Sequence, residues 1–144
     1  MHTHTAAGVG VSAQEHGLLP ISQHAMRLTN NVAYHAYEGV ALNLEERKRL
    51  VADIGDKMTL ILTNHGLLTC GSTIREAFDY MYYLERACQI QIAALAGGSK
   101  LIIPSQEVAE GVAKSFSRPG YQEKKGEWQA LLRMLDKIDP SYKT

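Results

Sequence analysis

The stretch MTLILTNHGLLTCG, residues 58–71, does most to restrict what this chain can become. Met58–Thr63 is apolar and β-branched, a polar pair and Gly66 interrupt it, and Leu67–Cys70 resumes the apolar character. Two short apolar runs around a glycine-containing break read as a β-hairpin. Gly66 is expected to supply the positive φ of the tight turn. The period then changes. Thr73 and Glu76 make a capping box, and Ala77, Met81, Leu84, Cys88, Ile92 and Leu95 recur at three and four up to Gly97-Gly98. A hairpin feeding directly into a long helix argues for a layered α/β domain with antiparallel pieces in its sheet.

The flanking segments fill in the rest. A strand end is expected at 2–5, a helical turn around Val11–Glu15, and a short helix with Pro20 in its first turn. A strand follows near Asn31–His35. Asn43 and Glu46 form another capping box, heading a helix whose Leu44, Leu50, Val51 and Ile54 share a stripe. Two tail helices are expected at about Gln106–Phe116 and Glu127–Ile138, the second carrying the only tryptophan, Trp128. Three or so strands make a thin sheet for so much helix. That implies either an oligomer or a sheet whose remaining part lies elsewhere.

Composition narrows the function classes. Lys+Arg and Asp+Glu both number 15, so no basic excess favours nucleic acid or an anionic membrane. No apolar run approaches the ~18 residues of a membrane span, and residues 1–15 lack a signal-peptide pattern. At 144 residues the length suits one domain. The two cysteines, Cys70 and Cys88, read as a reduced strand residue and a helix-core residue. A soluble, cytoplasmic protein is the expectation.

Six histidines occur: His2, His4, His16, His24, His35 and His65. On a strand, residues i and i+2 share a face, so His2 and His4 can offer nitrogens to one ion. A tag remnant or chance explains the pair equally well at this point. His65, just beyond a buried strand, belongs at the sheet rim, either as an exposed turn residue or as a ligand. Three imidazoles with an open coordination position would suit a catalytic divalent ion.

The blocks HTHTAAGVGVS, GLLPISQHAM, VAYHAYEG, LVADIGDK, LILTNHGLLTCG and AFDYMYYLERACQIQIAAL resemble, in order and spacing, the class II aldolase/adducin family. The resemblance covers nearly the whole chain and is densest from His2 to Leu95. It implies a three-layer αβα class II aldolase-like fold with a mixed, largely antiparallel sheet. It also implies a divalent metal, most often zinc, held by His2, His4 and His65, which displaces the tag reading. Catalytic members of the family act on small hydroxy-carbonyl compounds and sugar phosphates, as aldolase-type lyases or epimerases, through a metal-stabilised enediolate. Adducins use the same fold in assembly without catalysis. Three convergent imidazoles favour the metal-dependent enzyme, and they do not by themselves choose zinc over iron.

The resemblance also marks what residues 1–144 do not cover. Full-length members carry about another half-domain before the His-x-His strand, with phosphate-binding loops and a glutamate base. The expectation is therefore a partial domain, a fragment rather than a truncated relative. Family aldolases take a proton donor from a tyrosine of a neighbouring subunit in a tetramer. Where that tyrosine is expected, this sequence has His24, an imidazole able to donate a proton, which is the candidate donor. Tyr121 and Tyr142 are the other candidates from the tail. His16 and His35 are assigned no role. Glu38 reads as structural, and residues 45–49 (EERKR) and 122–127 (QEKKGE) as solvated.

Overall fold

The computed structural model describes residues 1–40, 44–118 and 126–143. Strands β1 (His2–Thr3), β2 (Val32–His35), β3 (Thr59–Leu62) and β4 (Gly66–Thr69) form a four-stranded sheet in the order β1-β4-β3-β2. The expected hairpin is present, with β3 antiparallel to β4 and Leu62 opposite Gly66. β1 adds antiparallel to β4, and β2 adds parallel to β3. The sheet is thus mixed and largely antiparallel.

Around it lie α1 (Ala6–Ser12), α2 (Gln23–Met26), α3 (Glu46–Ile54), α4 (Ile74–Leu95), α5 (Gln106–Phe116) and α6 (Glu127–Ile138), with a 3₁₀ turn at Pro140–Lys143. α4 and α1 pack on each other and on β4, while α3 packs against β2 at the far edge. The core is Val11, Leu28, Ile61, Leu67, Met81, Leu84 and Cys88. All of β3 is buried, which explains its unbroken apolar run. Cys70 is exposed and Cys88 buried, both as free thiols.

Local signals set most of the helix limits. Thr73 Oγ1 accepts from Glu76 N at 3.1 Å, as a capping box requires. The Glu76 carboxylate closes on Ser72 instead, accepting from its N and Oγ at 2.7 and 2.6 Å. Ser105 caps α5 through Val108 N at 3.3 Å. Two helices begin at unexpected places. α1 starts at Ala6 rather than near Val11, because Thr5 is its N-cap and accepts from Gly8 N. α2 starts after Ser22, whose hydroxyl accepts from Ala25 N, so Pro20 precedes the helix instead of opening it. Asn43 lies outside the described residues. α3 buries none of its residues, so its apolar stripe does not enter the core.

The stripe of α4 also departs from expectation beyond Cys88. Ile92 and Leu95 are 36% and 38% exposed, while Gln91 is fully buried. Here the helix faces the 14–19 loop rather than the sheet. Gln91 Oε1 accepts from Leu19 N at 2.7 Å, and its Nε2 donates to Gly17 O at 2.7 Å and to Gln14 Oε1 at 2.6 Å. A polar side chain holds this buried position because the loop presents backbone groups that need partners.

Candidate metal centre

The three histidines expected to act together converge. His2 Nε2 lies 2.7 Å from His4 Nε2, and His4 Nε2 lies 2.9 Å from His65 Nε2. One ligand atom from each falls within 4.8 Å of the others. His2 and His65 come from neighbouring strands and their turn, since β1 runs antiparallel to β4 with His2 opposite Leu68. β1 ends at Thr3, so His4 reaches the cluster from the turn into α1 rather than from a regular pleat.

Two backbone features allow this approach. A Cβ on Gly66 would collide with the carbonyl oxygen of Thr3. Glycine is needed there because β1 passes too close for a side chain. The left-handed turn residue is Asn64, with φ 55°, not Gly66 as the sequence suggested; asparagine tolerates that region. Asn64 N donates to Ser12 O at 3.1 Å, tying the turn to the end of α1. After His4, the Thr5 hydroxyl donates to the Glu85 carboxylate of α4. The chain is therefore held just after the His-x-His pair.

The donor set fits a divalent ion. His2 Nδ1 lies 2.8 Å from Leu67 O. A carbonyl can only accept, so Nδ1 carries a proton, and in the neutral ring Nε2 is left with a bare lone pair. Metal-binding histidines show this outer-shell pattern. Burial and the neighbouring His2 and His4 imidazoles push His65 below the usual imidazole value, which favours the neutral, ligating form. A proton can bridge one pair of these nitrogens, whereas one cation satisfies all three. Tetrahedral ligands at zinc–nitrogen distances sit roughly 3.3 Å apart. The observed 2.7 and 2.9 Å are slightly shorter, a gap that small ring rotations close.

The other candidates lie elsewhere. His24 packs against Tyr83 of α4, ring centroids 5.6 Å apart, and is not one of the converging histidines. Tyr142 donates to Asp136 Oδ1 at 2.6 Å in the C-terminal turn. Tyr121 lies outside the described residues. Glu38 is bound by Arg49. A cleft of about 420 Å³ between α4 and α6, lined by Phe78, Tyr82 and Trp128 among others, contains none of the histidines. The candidate centre is therefore an open site at the sheet rim.

Sequence reasoning missed a second cluster. His35, given no role, is 4% exposed, with Asp53, Glu46 and Glu38 around it. Glu46 belongs to the charged segment 45–49, expected to be solvated, yet it is largely covered. The available signal was the seven-residue spacing of Glu46 and Asp53, which puts both on one helix face.

Comparison with known proteins agrees with this architecture. The family model for the class II aldolase and adducin N-terminal domain matches residues 1–92. An aldolase class 2-type protein of Pseudomonas aeruginosa is 50% identical over 150 residues, covering 99% of this chain and 57% of that protein. Mouse alpha-adducin is 40% identical over 154 residues, covering 96% of this chain and 20% of that protein. The crystal structure of an aldolase II superfamily protein from Pseudomonas syringae superposes with a TM-score of 0.86 at 48% identity. It covers 96% of this chain and 56% of that one. The chain thus spans little more than half the length of its bacterial relatives. With the model matching most of its length and both branches represented among its relatives, the chain belongs to the class II aldolase and adducin family.

Proposed function

We propose that this chain carries the metal-binding part of an aldolase-type lyase or epimerase acting on a small hydroxy-carbonyl or sugar-phosphate substrate. The observation that carries the reading is the convergence of His2, His4 and His65 through their Nε2 atoms. A divalent ion, zinc by preference, supplies Lewis-acid polarisation of a carbonyl and the neighbouring hydroxyl when bound. The three imidazoles hold that ion and leave one face open to substrate. Leu67 O fixes the His2 tautomer, and Gly66 lets His4 come within reach of His65. His24 is the proposed proton donor, serving the site of a neighbouring copy in a homotetramer. The protein is proposed to act in the cytoplasm. The general base and the phosphate-binding loops are assigned to the part of the relatives that this chain does not span.

Zinc analysis of the chelator-stripped and reloaded protein tests this reading. His65→Ala should lower the bound zinc by one equivalent per chain and weaken that site roughly 100-fold or more. Unchanged zinc content would sink the ligand assignment. His24→Gln should leave zinc binding intact and lower retro-aldol turnover in the full-length protein.

A second reading is a non-catalytic, adducin-like assembly module. The 40% identity to alpha-adducin over most of the chain favours it. Absence of zinc binding in the wild-type chain would decide for this module.

A further inference from the structure

Apart from the three-histidine centre, the geometry points to a second divalent-cation site, which we propose is formed by His35, Glu46 and Glu38 with Asp53 as the outer carboxylate. β2 ends at His35, and α3 lays Glu46 and Asp53 along the face that packs against this strand. Glu38 follows His35 by three residues in the segment after the strand. The His35 side chain is 4% exposed.

His35 Nδ1 lies 2.7 Å from Asp53 Oδ2. In the neutral ring, the carboxylate accepts a hydrogen from Nδ1 and leaves Nε2 as a bare lone pair. A carboxylate–histidine pair of this kind orients a metal ligand and raises its basicity. Nε2 is itself buried and has no hydrogen-bond partner among the described residues. It points at Glu46 Oε1, 3.5 Å away, and at Glu38 Oε1, 3.9 Å away.

A lone pair facing two carboxylate oxygens is repulsive, and both separations exceed those of hydrogen bonds. They suit ligands of one ion instead. Ligands at 2.0–2.2 Å from a common ion sit roughly 3.0–3.5 Å apart. Glu46 is already at that distance, and a small rotation of Glu38 closes the rest. Arg49 orients Glu38 through Nε, 2.6 Å from Oε1, and through Nη2 on the other oxygen. Each carboxylate oxygen keeps a lone pair free for a second partner. Three carboxylates against one guanidinium make the cluster attractive to a cation. One imidazole and two carboxylates select a first-row divalent ion such as zinc or manganese.

The test is zinc stoichiometry of the full chain after chelator treatment, followed across a zinc concentration series. Wild type should bind two equivalents, His65→Ala one and His35→Gln one, with the double variant binding none. Glu46→Gln keeps the side-chain volume and should weaken one equivalent at least roughly tenfold. It serves as the reading if His35→Gln does not fold. The His65→Ala arm reports on the first centre alone, so failure of either site is seen separately. A single wild-type equivalent that His65→Ala removes would overturn the proposal, leaving His35 as an ion-paired imidazolium. Retention of both equivalents in the His35→Gln and Glu46→Gln variants would overturn it equally.

Discussion

Gly66 and Asn64 divide the demands of the hairpin between them. Asn64 takes the left-handed backbone at φ 55°, and Gly66 makes room for the carbonyl of Thr3. Gly66→Ala should therefore push β1 away from β4 and cost about 1–3 kcal/mol, as overpacking against rigid backbone does. Because His2 and His4 travel with β1, zinc affinity should fall alongside the melting temperature. Asn64→Gly should be close to neutral, since glycine adopts the same φ. Thermal melts and zinc titrations of both variants check this. A Gly66→Ala protein as stable as wild type would show that the strands need no close approach. The need for a glycine was legible in the sequence, but its reason was not. A turn motif displays only local demands, whereas the oxygen that excludes a side chain arrives from a strand far away in the sequence.

The helices repeat this division between local and distant causes. Ser105 before α5 and Thr73 before α4 are caps that bind backbone N–H groups within three residues, so both starts could be read directly. The buried face of α4 beyond Cys88 could not, because a loop covers it rather than the sheet. Gln91 shares the spacing of Leu84 and Cys88 but reads as a surface residue by its polarity, yet it is the helix's link to residues 14–19. Gln91→Leu fits the space but leaves Leu19 N and Gly17 O without their partners. Each such loss costs about 1–3 kcal/mol. The expected result is a drop of about 2–6 kcal/mol in denaturant unfolding, with hydrogen exchange rising first in the 14–19 loop. If Gln91→Leu is neutral, water is replacing the amide. α3 shows the same error. Its charged sequence read as a solvated face, while Glu46 and Asp53 on one side close over His35.

At the scale of the molecule, the sheet order brings both candidate centres to its strands and their ends. β1 delivers His2 beside the β3–β4 turn, and the parallel strand β2 delivers His35 beneath α3. The first centre was legible because its residues sit in blocks that resemble the class II aldolase and adducin family in order and spacing. The second has no short motif and is visible only once α3 packs on β2. Two groups in these regions make stability depend on acid in the same direction. Burial and the neighbouring imidazoles depress His65, so the unfolded chain takes up its proton near pH 6.5 while the folded chain resists until lower pH. Stability then falls as pH drops through that window. Hydrogen bonding from Arg49 holds Glu38 below its ordinary 4.5. Its contribution is present above that value and is lost as pH falls through the depressed one. Melting temperature should therefore decline below about pH 6.5 and decline further below about pH 4.5. In chelated protein, His65→Ala should flatten the first decline and Glu38→Gln the second. A melting temperature that rises between pH 7 and pH 5 would mean that the His65 site prefers the charged imidazole, contrary to its burial.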